Sequence, residues 1–394
     1  MLSATHVIPR GVWMLGLVSL FMDISSELIH SLLPVFMVTS LGASALMVGV
    51  VEGVAEATAL IVKVFSGTLS DYIGKRKGLT VLGYGLGALS KPLFALALSV
   101  PWVFAARFMD RIGKGIRGAP RDALIADLAA PEIRGAAYGL RQSLDSVGAF
   151  AGPLLAVVLM LLWAGDFRTV FWFAVIPAAI SVLILVFGVQ EPAAAAPGRR
   201  PASPVAWRTL RELGREYWWV VGAGAVFTLA RFSEAFLILR AQQLGLADTF
   251  APLVLVVMNV VFAASAYPLG RLADRASHNL LLGLGLVVLV AADLILAQAR
   301  GLTWVAIGVM LWGLHMGMTQ GLLATMVANA APAQLRGTAF GFFNLMSGIA
   351  LLIASVLAGL LWDKLGAAVT FYCGAAFAVT ALILLVLRRG RENM

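Results

Sequence analysis

Runs of about twenty apolar residues recur along the whole 394-residue chain, and nothing else in the sequence restricts its fold as much. A helix crossing a bilayer needs roughly 20 mostly apolar residues. Any lipid-facing segment must also satisfy its own backbone polar groups, which leaves helices and closed barrels. Twelve candidate spans result, at about 12–38, 45–67, 78–99, 102–124, 136–163, 169–189, 217–240, 250–270, 279–299, 302–326, 337–362 and 367–388. The runs are long and unbroken instead of alternating, which argues against a strand barrel. The chain is 61% hydrophobic and 12% charged, where a soluble domain carries about 45–50% and about 25%. So little polar surface excludes a soluble enzyme, a disordered chain and a secreted disulfide scaffold. Cys373 is the single cysteine, so no internal disulfide and no cysteine-built metal site can form. The expectation is an all-α membrane protein with twelve transmembrane helices in two pseudo-symmetric six-helix bundles.

One long polar stretch interrupts the pattern, Glu191 to Glu216, with four prolines followed by a basic amphipathic segment. It predicts an N-terminal six-helix bundle over 1–190, a cytoplasmic linker with an amphipathic helix over 191–216, and a C-terminal six-helix bundle over 217–394. An internal echo supports the division. Ala-Pro-Glu-Ile-Arg-Gly-Ala-Ala-Tyr-Gly at 130–139 returns as Ala-Pro-Ala-Gln-Leu-Arg-Gly-Thr-Ala-Phe-Gly at 331–341, and Gly67-Thr-Leu-Ser-Asp71 returns as Gly270-Arg-Leu-Ala-Asp274. A duplicated six-helix unit leaves such echoes in equivalent loops.

The formal charge of +9 reads as orientation in the bilayer and not as nucleic-acid binding. With the N-terminus inside, inner loops and tails hold Arg10, Lys75, Arg76, Lys77, Arg134, the five arginines of 199–215, Arg271, Arg275, Arg336, Arg388, Arg389 and Arg391. The outer side holds Arg168, Arg240, Arg300 and Lys364. Positive charge gathers on the cytoplasmic side, so both termini of this multi-pass chain are expected in the cytoplasm. Met1 to Arg10 shows no cleavable signal pattern, so the first apolar segment is expected to stay as a helix.

Charges inside the spans carry the functional argument. An Asp, Arg or Lys at mid-helix costs roughly 2.5–3.5 kcal/mol on insertion scales, so these groups must face protein or a wet cavity. On span one, Asp23, Glu27 and His30 fall within about 60° of each other at 100° per residue. On span two, Glu52, Glu56 and Lys63 fall within about 40°. On span four, Arg107, Asp110, Arg111, Lys114, Arg117 and Arg121 form a stripe about 120° wide. From the helical rise, Glu27, Glu56 and Arg111 lie roughly 14–15 Å below the outer surface, and Arg117 and Asp145 roughly 22 Å. Two charge layers are therefore expected, Arg111 with Glu27 or Glu56, and Arg117 with Asp145. In the drier second half, Arg231 and Glu234 sit at i and i+3 on span seven and are expected to pair.

Several motifs resemble those of the major facilitator superfamily. The run Gly67-Thr-Leu-Ser-Asp71-Tyr-Ile-Gly74-Lys75-Arg76 is similar to the superfamily's loop 2–3 signature, with Tyr72 where that signature has arginine. Arg111-Ile-Gly-Lys-Gly115 looks like its Arg-x-x-x-Gly motif, and Gly148-Ala-Phe-Ala-Gly152-Pro153 like the glycine-proline motif of its antiporter branches. The resemblance spans the whole chain. It implies the major facilitator fold and alternating access, with Asp71, Lys75 and Arg76 in an inner gate. The run Asp110-Arg111-Ile-Gly-Lys-Gly-Ile-Arg-Gly-Ala-Pro-Arg-Asp122 resembles a bacterial branch, which implies a multi-pass protein of a bacterial inner membrane.

The reading that follows is a secondary active transporter, a proton-coupled antiporter exporting a small organic compound. Asp23, Glu27, His30, Glu52, Glu56, Arg111, Lys114, Arg117, Asp145, Arg231 and Glu234 would form its coupling and substrate cavity. Alternatives are proton symport for uptake and transport of a metal ion or metal–chelate complex. From another class comes a non-transporting membrane receptor or scaffold. Asp23, Glu27 and His30 share one face and are the only metal-ligand candidates. No cofactor or enzymatic motif is present: His-Glu-x-x-His and Gly-x-Ser-x-Gly are missing, and Gly113-Lys114-Gly115 lacks phosphate-loop spacing. The expected partners are the substrate, protons or another cation, and the bilayer, with the chain a monomer.

Overall fold

The computed structural model describes residues 8–73, 75–191, 209–273, 277–319, 321–332 and 335–392, and every regular element among them is helical. In chain order the helices are α1 (Arg10–His30), α2 (Leu33–Thr39), α3 (Ala45–Ile73), α4 (Arg76–Ala95), α5 (Val100–Leu128), α6 (Arg134–Leu162), α7 (Phe167–Phe173), α8 (Val175–Leu183), α9 (Arg215–Leu229), α10 (Ala235–Gln243), α11 (Leu253–Ala273), α12 (His278–Gln298), α13 (Leu302–Thr319), α14 (Leu322–Ala330), α15 (Arg336–Leu365) and α16 (Ala367–Glu392). Among the described residues, nine helical segments are long and apolar enough to cross a membrane. The expected spans at 78–99, 102–124 and 217–240 are helical too. Glycines and Lys91 dilute α4, a stripe of charge runs along α5, and the span at 217–240 is interrupted between α9 and α10. Most of the expected linker, 192–208, lies outside the described residues, as does Asp274 of the second echo.

Two compact units emerge: Met1–His30 with Ile61–Ala202, and Ser31–Leu60 with Ser203–Met394. In the first, α1 packs along α6, α4 along α5, and α8 rests on α1 and α4. Val12, Leu15, Val18, Met22, Tyr84, Leu124 and Ile125 fill its buried centre. Burying apolar groups against lipid tails gains little, so helix association in a bilayer leans on close packing and interhelical hydrogen bonds. Ser25 Oγ donates to the Ala174 carbonyl at 2.6 Å, and Ser181 Oγ to that of Val18 at 2.7 Å.

In the second unit α12 lies between α13 and α16, α11 packs on α13, and α15 on α9 and α16. Tyr217 Oη donates to the Ala339 carbonyl at 2.9 Å, joining α9 to α15. The first half of α3 is pressed against α15. A Cβ on Gly49 would stand 2.2 Å from the Ser355 carbonyl oxygen, and one on Gly359 2.5 Å from that of Ala45. Asp363 of α15 then caps α3, its carboxylate accepting from Ala45 N at 3.0 Å and Leu46 N at 2.9 Å. That satisfies two of the four amide donors a helix start leaves open.

The first internal echo has a structural counterpart. Arg134 Nε donates to the Ala126 carbonyl at 3.2 Å, and Arg336 Nε to that of Ala328 at 3.2 Å. Each arginine reaches back eight residues to the C-terminal end of the preceding helix, where cations are favoured. Two outer arginines of the charge count do similar work. Arg168 donates to the Ala97 carbonyl at 3.0 Å, and Arg240 to those of Leu296, Ala297 and Ala299 at 3.0, 3.2 and 3.0 Å.

Candidate functional site

In the first unit the site begins with a backbone approach. Gly148 and Gly152 lie one turn apart on α6, and both face α1. A Cβ on Gly148 would stand 2.8 Å from the Leu20 carbonyl oxygen and 2.9 Å from Asp23 Cβ. On Gly152 it would stand 2.8 Å from the Ile24 carbonyl oxygen and 2.9 Å from Glu27 Cβ. The two glycines that resemble an antiporter motif therefore back directly onto the two carboxylates of span one, and Pro153 follows within the same helix.

Asp23 and Glu27 are partly buried and share an electrostatic neighbourhood. Asp23 interacts with Asp145, Arg117, Lys114 and Glu27, and Glu27 with His30, Lys114 and Arg111. His30 Nδ1 lies 3.3 Å from Glu27 Oε2. Among the described residues no three His, Cys, Asp or Glu side chains are placed to hold a metal ion; of the Asp23–Glu27–His30 set only Glu27 and His30 meet.

The same unit holds a second charge cluster. Lys91 of α4, 1% exposed, donates to Asp110 Oδ1 at 2.7 Å and to Ser26 Oγ at 3.0 Å. Asp110 Oδ2 sits 3.9 Å from Arg107 and 3.8 Å from Arg111. Arg117 stacks over the Tyr84 ring at 4.6 Å, and Arg121 donates to Ser19 Oγ at 3.0 Å and Tyr84 Oη at 3.4 Å. Spacing suggested Glu27 or Glu56 for Arg111; its ion-pair contact here is Asp110, and Glu27 interacts with it electrostatically. The expected pairing of Arg117 with Asp145 is corrected: Asp145 pairs with Arg141 at 2.7 Å, one turn away on its own helix. An i, i+4 partner on α6 itself outcompetes one on another helix. Lys91 was missed by helical-angle reasoning, although a lone lysine in an apolar run is the signal that finds it.

The gate motif is only partly described. Gly67 approaches Ala119 of α5, where a Cβ would stand 3.2 Å from the Ala119 Cβ. Nothing is described of the Asp71 side chain, and Gly74 lies outside the described residues. Lys75 is extended and exposed before α4, and Arg76 pairs with Asp127 at 3.0 Å. The Glu191 carboxylate accepts from the Arg76 and Lys77 amides and so caps α4.

In the second unit Glu52 is buried and Glu56 partly buried on α3. Span seven, expected as one helix over 217–240, is two: α9 stops at Leu229, residues 231–233 are not helical, and α10 resumes at Ala235. Arg231 and Glu234 flank this opening and interact electrostatically. Between them Phe232 enters an aromatic cluster, 5.6 Å from Phe236, 5.4 Å from Trp312 and 5.5 Å from Phe371. His315 lies one turn from Trp312, fully buried, with Nδ1 2.7 Å from the Gly285 carbonyl oxygen. Interrupted helices are tolerated at membrane depth only where they are buried or line a cavity.

Helical units with charged interiors and an interrupted span define a polytopic carrier. The sequence model of the Major Facilitator Superfamily matches residues 15–355 and 235–393. The MFS-type transporter MJ1317 of Methanocaldococcus jannaschii is 31% identical over 96% of this chain and 95% of its own length. The multidrug resistance protein MdtH of Proteus mirabilis is 29% identical over 48% of the chain and 45% of its own length. Among solved structures, a POT family transporter in complex with 5-aminolevulinic acid matches with a TM-score of 0.80 at 13% identity, covering 96% of both chains. The chain belongs to the major facilitator superfamily: it is a multi-pass membrane transporter and not an enzyme.

Proposed function

We propose that this chain is a proton-coupled antiporter that exports a small organic compound across the bacterial inner membrane, as a monomer with twelve spans and both termini in the cytoplasm. In this reading the bundles over 1–190 and 217–394 alternate about the linker at 191–216. The observation that carries it is the seating of Asp23 and Glu27 against Gly148 and Gly152, among Arg111, Lys114 and Arg117. Protonating a carboxylate there removes one charge from a cluster held at short range, which changes the balance between two packings. A bound species drives such a cycle only through its different affinity for the two states. Glu52, Glu56, Arg231 and Glu234 are assigned to the substrate side. The inner gate is assigned to Asp71, Lys75 and Arg76, and the outer closure to the seam where Asp363 caps α3. The name of MdtH, a multidrug resistance protein, favours export over uptake.

The test is reconstitution into vesicles loaded with a pH indicator, with a panel of small organic compounds added outside. Substrate movement in one direction should be matched by proton movement in the other. Glu27→Gln and Asp23→Asn should each abolish the proton signal while leaving the protein folded. Transport indifferent to a collapsed proton gradient would remove the antiport reading.

A further inference from the structure

The second unit contains a carboxylate that the mechanism above does not use. Asp293 of α12 is 0% exposed, and among the described residues neither of its carboxylate oxygens has a hydrogen-bond partner. No ion pair reaches it among those residues. Its surroundings make room for the carboxyl without supplying it a partner. A Cβ on Gly374 of α16 would stand 2.8 Å from Asp293 Oδ2 and 2.9 Å from Phe232 Cε1, so only glycine fits beside it. The titratable and charged groups on the neighbouring elements are few. On α16 Cys373 interacts with Asp293, Tyr372 is exposed, and Arg388, Arg389, Arg391 and Glu392 stand at the helix's far C-terminal end. On α13 there is His315, already engaged with the Gly285 carbonyl, and at the interrupted span Arg231 with Glu234.

A carboxylate ion in such a place has neither solvent nor counter-charge, and burying an isolated ion is far costlier than neutralising it. A metal ion would not serve, since a hard cation takes several oxygen ligands and the neighbours seen here are the Phe232 ring edge, a glycine and a thiol. A proton needs one oxygen. We propose that Asp293 is a proton-binding site of the second unit, neutral in this conformation and exchanging its proton with water when the interrupted span at 230–234 shifts. Binding forms one O–H bond on a carboxylate oxygen, and release returns the proton to water. Phe232 is the lid, because it belongs to the non-helical turn and shares the Gly374 niche with the carboxyl. The inference deepens the antiport reading by adding a coupling carboxylate separate from Asp23 and Glu27.

The experiment is infrared spectroscopy of the purified full chain in detergent at neutral pH, with no substrate. The carbonyl stretch of a protonated carboxylic acid should be present in the parent and in Glu27→Gln, and missing in Asp293→Asn. It should also move in D2O, showing that the proton exchanges. Labelling aspartate at its side-chain carboxyl carbon should displace the band in Asp23→Asn as it does in the parent, which removes Asp23 as its source and keeps the test sound should the Asp293 variant fail to fold. No band that responds to the label or the variant would overturn the proposal, as would a band that never moves in D2O, which marks a locked structural proton. Vesicle proton flux is a separate measurement, so failure of the antiport reading is distinguishable from failure at Asp293.

Discussion

Asp110 and Asp293 are the same side chain at nearly the same burial, 3% and 0% exposed, and the two units treat them in opposite ways. Asp110 is surrounded by Lys91, Arg107 and Arg111, all on α4 and α5. Asp293 shares a niche with the Phe232 ring and Gly374 and has no cation partner among the described residues. The first unit stabilises an ionised carboxylate with charge, and the second tolerates a carboxyl by leaving it neutral. Burial alone therefore does not reveal the charge state of an acid in a membrane; its partners do.

The largest expected effect comes from making the same substitution in both places. Asp110→Asn removes the anion that three buried cations share, and breaking a buried pair from one side costs ~3–5 kcal/mol. It should lower the melting temperature in detergent sharply or prevent folding. Asp293→Asn replaces a neutral acid with a neutral amide of the same shape and should leave the melting temperature near that of the parent. Equal losses at both sites would erase the distinction between the units.

Next in size is the helix contact behind the span-one carboxylates. Gly152→Val inserts a branched side chain where even a Cβ meets the Ile24 carbonyl at 2.8 Å. Overpacking of this kind costs ~1–3 kcal/mol. It would also displace Glu27, so vesicle proton flux should fall further than stability does. In the second unit Gly283 has only ordinary contacts, its Cβ position 3.5 Å from Leu385 and 3.6 Å from Leu382. Gly283→Ala should be neutral or stabilising by up to about 1 kcal/mol through helix propensity. The unfolding temperature should fall for Gly152→Val and stay level or rise for Gly283→Ala.

The difference between the units also explains what could be read from sequence. Helical spans are legible because a bilayer forces each backbone to close on itself, and helical angles correctly put Asp23, Glu27 and His30 on one face. Lateral pairing is not legible. Arg117 and Asp145 have matching depths, yet Asp145 takes Arg141, because depth fixes one coordinate and leaves rotation and tilt open. The interruption of span seven escaped notice because Ala230-Arg231-Phe232-Ser233 contains neither proline nor glycine. The Asp363 cap joins residues more than three hundred positions apart, and no local pattern announces such a contact.

A smaller effect is expected where α3 meets α15. Asp363→Ala removes both acceptors from Ala45 N and Leu46 N and should cost ~0.5–2 kcal/mol, the usual worth of a helix cap. Accessibility is the more telling readout. If this seam is the outer closure, a cysteine placed at Met47 should react faster with a membrane-impermeant maleimide in the Asp363→Ala background. An unchanged rate would mean that the cap stabilises a helix and closes nothing.

The smallest effect belongs to Asp166, the corresponding exposed cap in the first unit. It precedes α7 and accepts from Arg168 N at 3.1 Å and from the Thr169 hydroxyl. These bonds favour the ionised form and hold its carboxyl below the usual range, the Thr169 hydroxyl contributing most. An acid whose folded value is depressed adds stability above its unfolded value, about 4, and loses it as pH falls through the folded one. Asp166→Ala should therefore lower stability by at most about 1 kcal/mol at neutral pH, with solvent screening reducing it further. The gap between variant and parent should close as the medium is acidified below the unfolded value. A gap that stayed constant with pH would show that the side chain acts through packing and not as a charged acceptor.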